Sequence, residues 1–130
     1  SLSDLKHVQK FETELQKLNR TINALIQINV DSEESKSGIT KDEDFIELAE
    51  KLLRSTKISL KGIMMLPRLH KSESELKHLA AEIKRYAALL DSIGCQNCEI
   101  SLGTSSDYRE ALKTGSTMIR VGEKIFGKRI

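Results

Sequence analysis

The sequence predicts an α/β fold in which four parallel strands are covered by helices. Two observations carry that expectation. Four short apolar segments rich in β-formers recur along the chain: residues 24–30 (ALIQINV), 59–66 (SLKGIMML), 98–103 (CEISLG) and 117–122 (TMIRVG). Helical periodicity of three to four residues fills the stretches between them. Strand–helix alternation of this kind implies right-handed βαβ units and a parallel sheet.

Each element has its own signal. Leu2, Leu5, Val8, Phe11, Leu15 and Leu18 mark a first helix, with Ser3 as its N-cap. After the first strand comes the polar stretch 31–38 (DSEESKSG), and then Thr40 to Glu43 reads as a capping box. The helix it opens carries Phe45, Leu48, Ala49, Leu52 and Leu53 on one face. Pro67 stands where the second strand must end. A second capping box, Ser72 to Glu75, opens a helix through Leu76, Leu79, Ala80, Ile83, Ala87 and Leu90 to Gly94. A short helix from Asp107 to Lys113 is capped by Ser105 or Ser106 and stopped near Gly115, and a last turn covers residues 123–126.

Composition narrows the function. The 130 residues suit one domain, and a net charge of +2 with no basic cluster and only 4% aromatics gives no footprint for nucleic acid. No apolar run reaches the length of a membrane span, and the start SLSDLKHVQKFETELQK is no signal peptide, so the expected compartment is the cytoplasm. Cys95 and Cys98 have the spacing of a redox or metal pair, but no second pair and no nearby His accompany them. They read as reduced thiols at a strand edge.

Alternation splits each strand into two faces. Residues 24, 26, 28 and 30, like 98, 100 and 102 and 117, 119 and 121, form faces suited to packing under helices. The opposite faces turn polar towards the strand C-termini, at Asn29, Ser101 and Arg120. The second strand fits less well, since Lys61 shares a face with Ile63 and Met65. These polar groups either satisfy one another in a core or line a ligand pocket. A buried Arg without a partner costs several kcal/mol, and ligands of parallel α/β folds lie at strand C-termini, which favours the pocket. Two loops at those ends, Gly103 to Asp107 (GTSSD) and Val121 to Lys124 (VGEK), lead into helix starts whose free amides suit phosphate.

The blocks ISLGTSSD at 100–107, GSTMIRVG at 115–122 and IFG at 125–127 closely resemble the signature of the YggS/PROSC family of pyridoxal phosphate (PLP) homeostasis proteins. LIQINV at 25–30 with SKSGI at 35–39, and LKGIMMLP at 60–67, match two further family blocks in order and spacing. The resemblance covers essentially the whole chain. It implies a (β/α)8 TIM barrel like that of alanine racemase, holding PLP at the strand C-termini, with no established reaction and a role in buffering or delivering PLP. It implies that Ser105 and the backbone around Gly122 and Glu123 hold the phosphate. Arg120 would approach the pyridine nitrogen and keep it unprotonated, which weakens the ring as an electron sink. Met65, Ser101 and Gly103 would line the pocket. Lys36 lies in the family's Lys-x-Gly loop, either beside the mouth or simply solvated.

Two departures qualify this picture. Thr104 stands where the family usually has Met. A (β/α)8 barrel needs about 250 residues, so the chain is expected to be only the second, carboxy-terminal half. The lysine that holds PLP would lie in the missing half and has no counterpart here. Ser1 at the start fits a processed, cleaved or cut chain. Half a barrel would expose two sheet edges and an inner face, so self-association or pairing with the missing amino-terminal half is expected. A non-enzymatic PLP-binding role is favoured. The alternatives are an enzyme of the alanine racemase type, although Tyr86 and Tyr108 fall on predicted helices, and a ligand-free piece that only associates.

Overall fold

In the computed structural model, which describes residues 1–31, 37–68 and 71–129, strands and helices alternate. The order is α1 (Leu5–Leu18), β1 (Ile22–Ile28), α2 (Asp42–Arg54), β2 (Ile58–Met65), α3 (Glu73–Ser92), β3 (Glu99–Ser101), α4 (Tyr108–Thr114) and α5 (Glu123–Phe126). The strands pair in chain order, β1-β2-β3, and both pairings are parallel. One face of the sheet carries Ala24, Ile26 and Ile28 beside Leu60, Ile63, Met65 and Ile100, all buried in a core shared with Phe45, Leu48, Leu52, Leu79 and Ile83 from α2 and α3. The apolar faces predicted for the first and third strands are therefore the helix-covered ones. Phe45 and Tyr86 meet edge to face at 4.9 Å and join α2 to α3.

The awkward face of the second strand is explained by a bulge. Ala24 pairs with Leu60 and Leu25 with Gly62, so Lys61 is an extra residue and is exposed, while Ile63 and Met65 return to the core face.

The expected fourth strand does not form. Within residues 117–122 only Met118 makes a bridge, parallel to Ser101. The reason lies in hydroxyl competition. Thr117 N and Met118 N both donate to the Ile100 carbonyl, at 2.9 and 3.0 Å. Ser116 Oγ donates to the Leu102 carbonyl at 2.6 Å, and Thr117 Oγ1 accepts from Ile100 N at 2.7 Å. Side chains thus take the places of ladder bonds and the register slips. Further along, Leu102 N to Met118 O and Arg120 N to Gly103 O keep the segment beside β3, so Arg120 still reaches the end of the sheet. The sheet has three strands among the described residues, with a tethered segment on its β3 side.

The expectation of two bare edges also changes. Leu2 and Ile39 each bridge β1 in parallel on its free side, through bonds of 2.8–2.9 Å to Leu25, Gln27 and Asn29. Single residues thus blunt an edge that would otherwise invite pairing. Because Leu2 is extended, α1 starts later than its periodicity suggests. Asp4 rather than Ser3 is the N-cap, accepting from Lys6 N at 2.8 Å.

The capping box at Ser72 and Glu75 forms as expected, with both reciprocal bonds. That at Thr40 does not; α2 begins after Lys41 without a side-chain cap, and Asp42, Glu43 and Asp44 complement the helix dipole. The α4 N-cap is Asp107, and neither Ser105 nor Ser106 caps that helix. Among the described residues, no helix is long and apolar enough to cross a membrane.

Candidate functional site

The carboxyl ends of β2 and β3 and the segment after α4 converge on one side of the molecule. A cavity of about 260 Å³ lies there, between Met65, Leu66 and Pro67 on one side and Gly103, Thr104 and Asp107 on the other, with Arg120 at its wall. Three expected site residues, Met65, Gly103 and Arg120, are thus brought together. Ser101, Ser105, Gly122 and Glu123 do not bound this cavity.

Arg120 is half-buried, and its Nη2 donates to the Met65 carbonyl at 2.9 Å. Its Nε is buried and, among the described residues, is the side-chain polar atom left without a hydrogen-bond partner. Such an orphan costs about 1–3 kcal/mol, so the donor calls for an acceptor that the described residues do not supply. Burial pushes the guanidinium below its ordinary pKa, with the Asp107 charge acting in the opposite direction. Asp107 was read from sequence only as the start of a helix. In the structure its Oδ1 accepts from both Thr104 N (2.7 Å) and Thr104 Oγ1 (2.8 Å), fixing the loop that borders the cavity. Thr104, the departure from the family pattern, is therefore part of the loop's own hydrogen bonding.

Ser105 acts one step further along. Its Oγ accepts from Gly122 N at 3.1 Å and Lys124 N at 3.2 Å, tying the loop after β3 to the start of α5. The second amide is that of Lys124, not Glu123; Glu123 is exposed in the first turn. The two glycines differ in kind. Gly103 has φ +109°, and a Cβ there would stand 2.7 Å from Ala111 Cβ, so the chain itself requires glycine. Gly122 has an ordinary φ of −121°, and an added Cβ would meet nothing within 4 Å. Nothing in the chain demands glycine there, and the open space suits the approach of another molecule.

Ser101 is buried on the face opposite the core, as its alternation required. Met65 bounds the cavity. Its side chain is wholly buried on the helix-covered face, and what it offers Arg120 is its carbonyl. The bulge makes Met64 the half-buried residue of the opposite face. Lys36 lies outside the described residues. Tyr86 sits in the core against Phe45, and Tyr108 accepts from Arg109 Nε; neither bounds the cavity.

Beside the site, Asp31 joins the loop after β1 to the loop after β2 by accepting from Lys71 Nζ (2.7 Å) and Arg68 N. Burial alone would raise its pKa, but these donors hold it below the usual carboxylate value. Cys95 and Cys98 are free thiols, and burial raises both above the ordinary thiol value. Among the described residues no group of His, Cys, Asp and Glu is arranged to hold a metal. A raised thiol pKa lowers the fraction present as thiolate.

Among the described residues the chain is an α/β fold, a parallel three-stranded sheet with helices between its strands and a half-buried arginine near the strand C-termini. The family described as alanine racemase, N-terminal domain, matches residues 1–129, and the chain belongs to it. It is 38% identical over 113 residues to a pyridoxal phosphate homeostasis protein of Vibrio alginolyticus, covering 85% of this chain and 47% of the relative. A second relative of that name, from Synechocystis, is 33% identical over 132 residues, covering all of this chain and 60% of the relative. The chain spans about half the length of the curated relatives it matches. PipY of Synechococcus elongatus, solved without PLP, superimposes with a TM-score of 0.84 at 25% identity, over 98% of this chain and 60% of PipY. The PLP-bound PipY structure gives 0.80 at 24% identity, a likeness of fold.

Proposed function

We propose that residues 1–130 form one domain, the carboxy-terminal half of a (β/α)8 barrel, and serve PLP homeostasis by binding the cofactor without catalysis, in the cytoplasm. The observation that carries this reading is the orphaned Arg120 Nε beside a cavity at the strand C-termini, next to amides gathered by Ser105. These residues fit PLP. Ser105 and the Gly122 and Lys124 amides would hold its phosphate, and Arg120 would meet its ring nitrogen. When bound, PLP supplies an aldehyde and an electron-withdrawing ring, and an arginine at the nitrogen dampens the latter. Among the described residues no lysine bounds the cavity, which supports non-covalent holding by this chain. A racemase is not favoured, because Tyr86 is committed to the core.

Ser105→Ala tests the phosphate assignment by fluorescence titration with PLP and with pyridoxal, which lacks the phosphate. A lost hydrogen bond to a charged group is worth about 1.5–3 kcal/mol. PLP affinity should therefore fall by about 10- to 100-fold, while pyridoxal binding is unchanged. Equal affinity of the unaltered chain for PLP and pyridoxal would sink the reading.

The same reading calls for a partner surface, either a second copy or the complementary half of the barrel. Met118 (43% exposed), Ile125 (68%) and Phe126 (86%) support it as large apolar side chains left exposed in the last part of the chain. Light scattering should give a mass above that of one chain, or of one chain plus the complementary half when that is supplied. A strict monomer that binds neither that half nor an apolar dye would rule out the pairing.

A further inference from the structure

A second cavity, of about 270 Å³, lies between α3, α4 and the end of the loop after β2. It shares Pro67 and Asp107 with the cavity beside Arg120, so these two residues form a common wall. Its apolar lining is Leu76 and Leu79 from α3 with Leu102 and Ala111. A cavity of about 150 Å³ holds benzene, and drug-sized ligands need about 300 Å³ or more. The space therefore holds a ligand of about six heavy atoms, the number in benzene, with room to spare.

The charges at its rim are not balanced. Lys71 is answered by Asp31 at 2.7 Å, and its side chain is only 9% exposed. Arg68 is answered by Glu75. On the α4 side stand Asp107, whose Oδ1 is already held by Thr104, and Glu110, which makes no ion pair among the described residues. The two cations are thus neutralised within the chain, and the charge left facing the opening is that of the α4-side carboxylates, of which Glu110 has neither oxygen engaged among the described residues. We propose that this cavity is a binding site for a small aliphatic ammonium, its alkyl chain on the leucines and its head at Glu110. The site adjoins the proposed cofactor cavity along that common wall, and its proposal does not depend on cofactor binding.

The test is a set of NMR titrations of the labelled chain with three ligands of one alkyl group, 3-methylbutylammonium, 3-methylbutanol and 3-methylbutanoate. The ammonium should give saturable shifts at the amides of Leu76, Leu79 and Ala111, with affinity at least about tenfold above the alcohol and the carboxylate. Glu110 is exposed, so Glu110→Gln should fold normally; it should remove about a factor of ten for the ammonium and leave the alcohol unchanged. Inorganic phosphate should leave these amides unmoved. Equal binding of alcohol and ammonium, preference for the carboxylate, phosphate shifts at these amides, or no saturable shift would each overturn the proposal.

Discussion

Gly62→Ala should cost about 3 kcal/mol or more, at the top of the range for overpacked sites. A Cβ at residue 62 would fall 1.9 Å from the Glu99 carbonyl oxygen and 2.6 Å from its nitrogen. The obstacle is backbone, so no rotamer change relieves it. Gly62 also sits at φ +156°, a conformation that L side chains rarely adopt. It pairs with Glu99 at the start of β3, so relief means moving β3 away from β2. The loop from Gly103 to Asp107 follows β3 directly, and the damage should reach the site as well as the core. Urea unfolding should show a much lower midpoint, and PLP binding should weaken together with it. Gly122→Ala is the control: ordinary φ and open space predict a stability change within about 0.5 kcal/mol. A Gly62→Ala protein as stable as the control would mean that β2 and β3 are not held as closely as described.

Signals that depend on a run of residues were legible in the sequence. Apolar alternation identified the core faces of β1 and β3, and the Ser72 box placed the start of α3. Strand–helix alternation also gave the parallel order and put Ser101 and Arg120 at the useful end of the sheet. Features resting on one residue were not legible. Leu2 and Ile39 each guard the β1 edge alone, and a single bridging residue has no period to detect. One inserted residue, Lys61, sets which methionine faces which way, and a single insertion leaves no mark on the alternation. Residues 117–122 have the composition of a strand, but Ser116 and Thr117 supply hydroxyls that displace ladder bonds. β-Propensity does not register that competition. Asp107 was missed as a site residue because Asp before a helix is normally read as a cap, and here its carboxylate turns back to Thr104 instead.

Arg120→Met should separate function from stability, because the two expected effects have opposite signs. The guanidinium is partly desolvated, makes one hydrogen bond to the Met65 carbonyl and leaves Nε buried and unsatisfied. Losing the bond costs about 0.5–1.5 kcal/mol, and removing the orphaned donor returns about 1–3 kcal/mol. Methionine fills much of the same volume without a charge to desolvate. The variant should therefore be as stable as the parent or up to about 1 kcal/mol more stable in urea unfolding. PLP affinity should nevertheless fall by about 10- to 100-fold, the worth of one charge-assisted contact. Arg120→Lys, which keeps the charge but loses the planar fork, should fall between the two in binding. If Arg120→Met instead lost 2 kcal/mol or more while binding PLP normally, Arg120 would be a structural strut for the β2 end. A donor that stays buried while nothing among the described residues accepts from it is what a ligand-binding residue should look like before its ligand arrives.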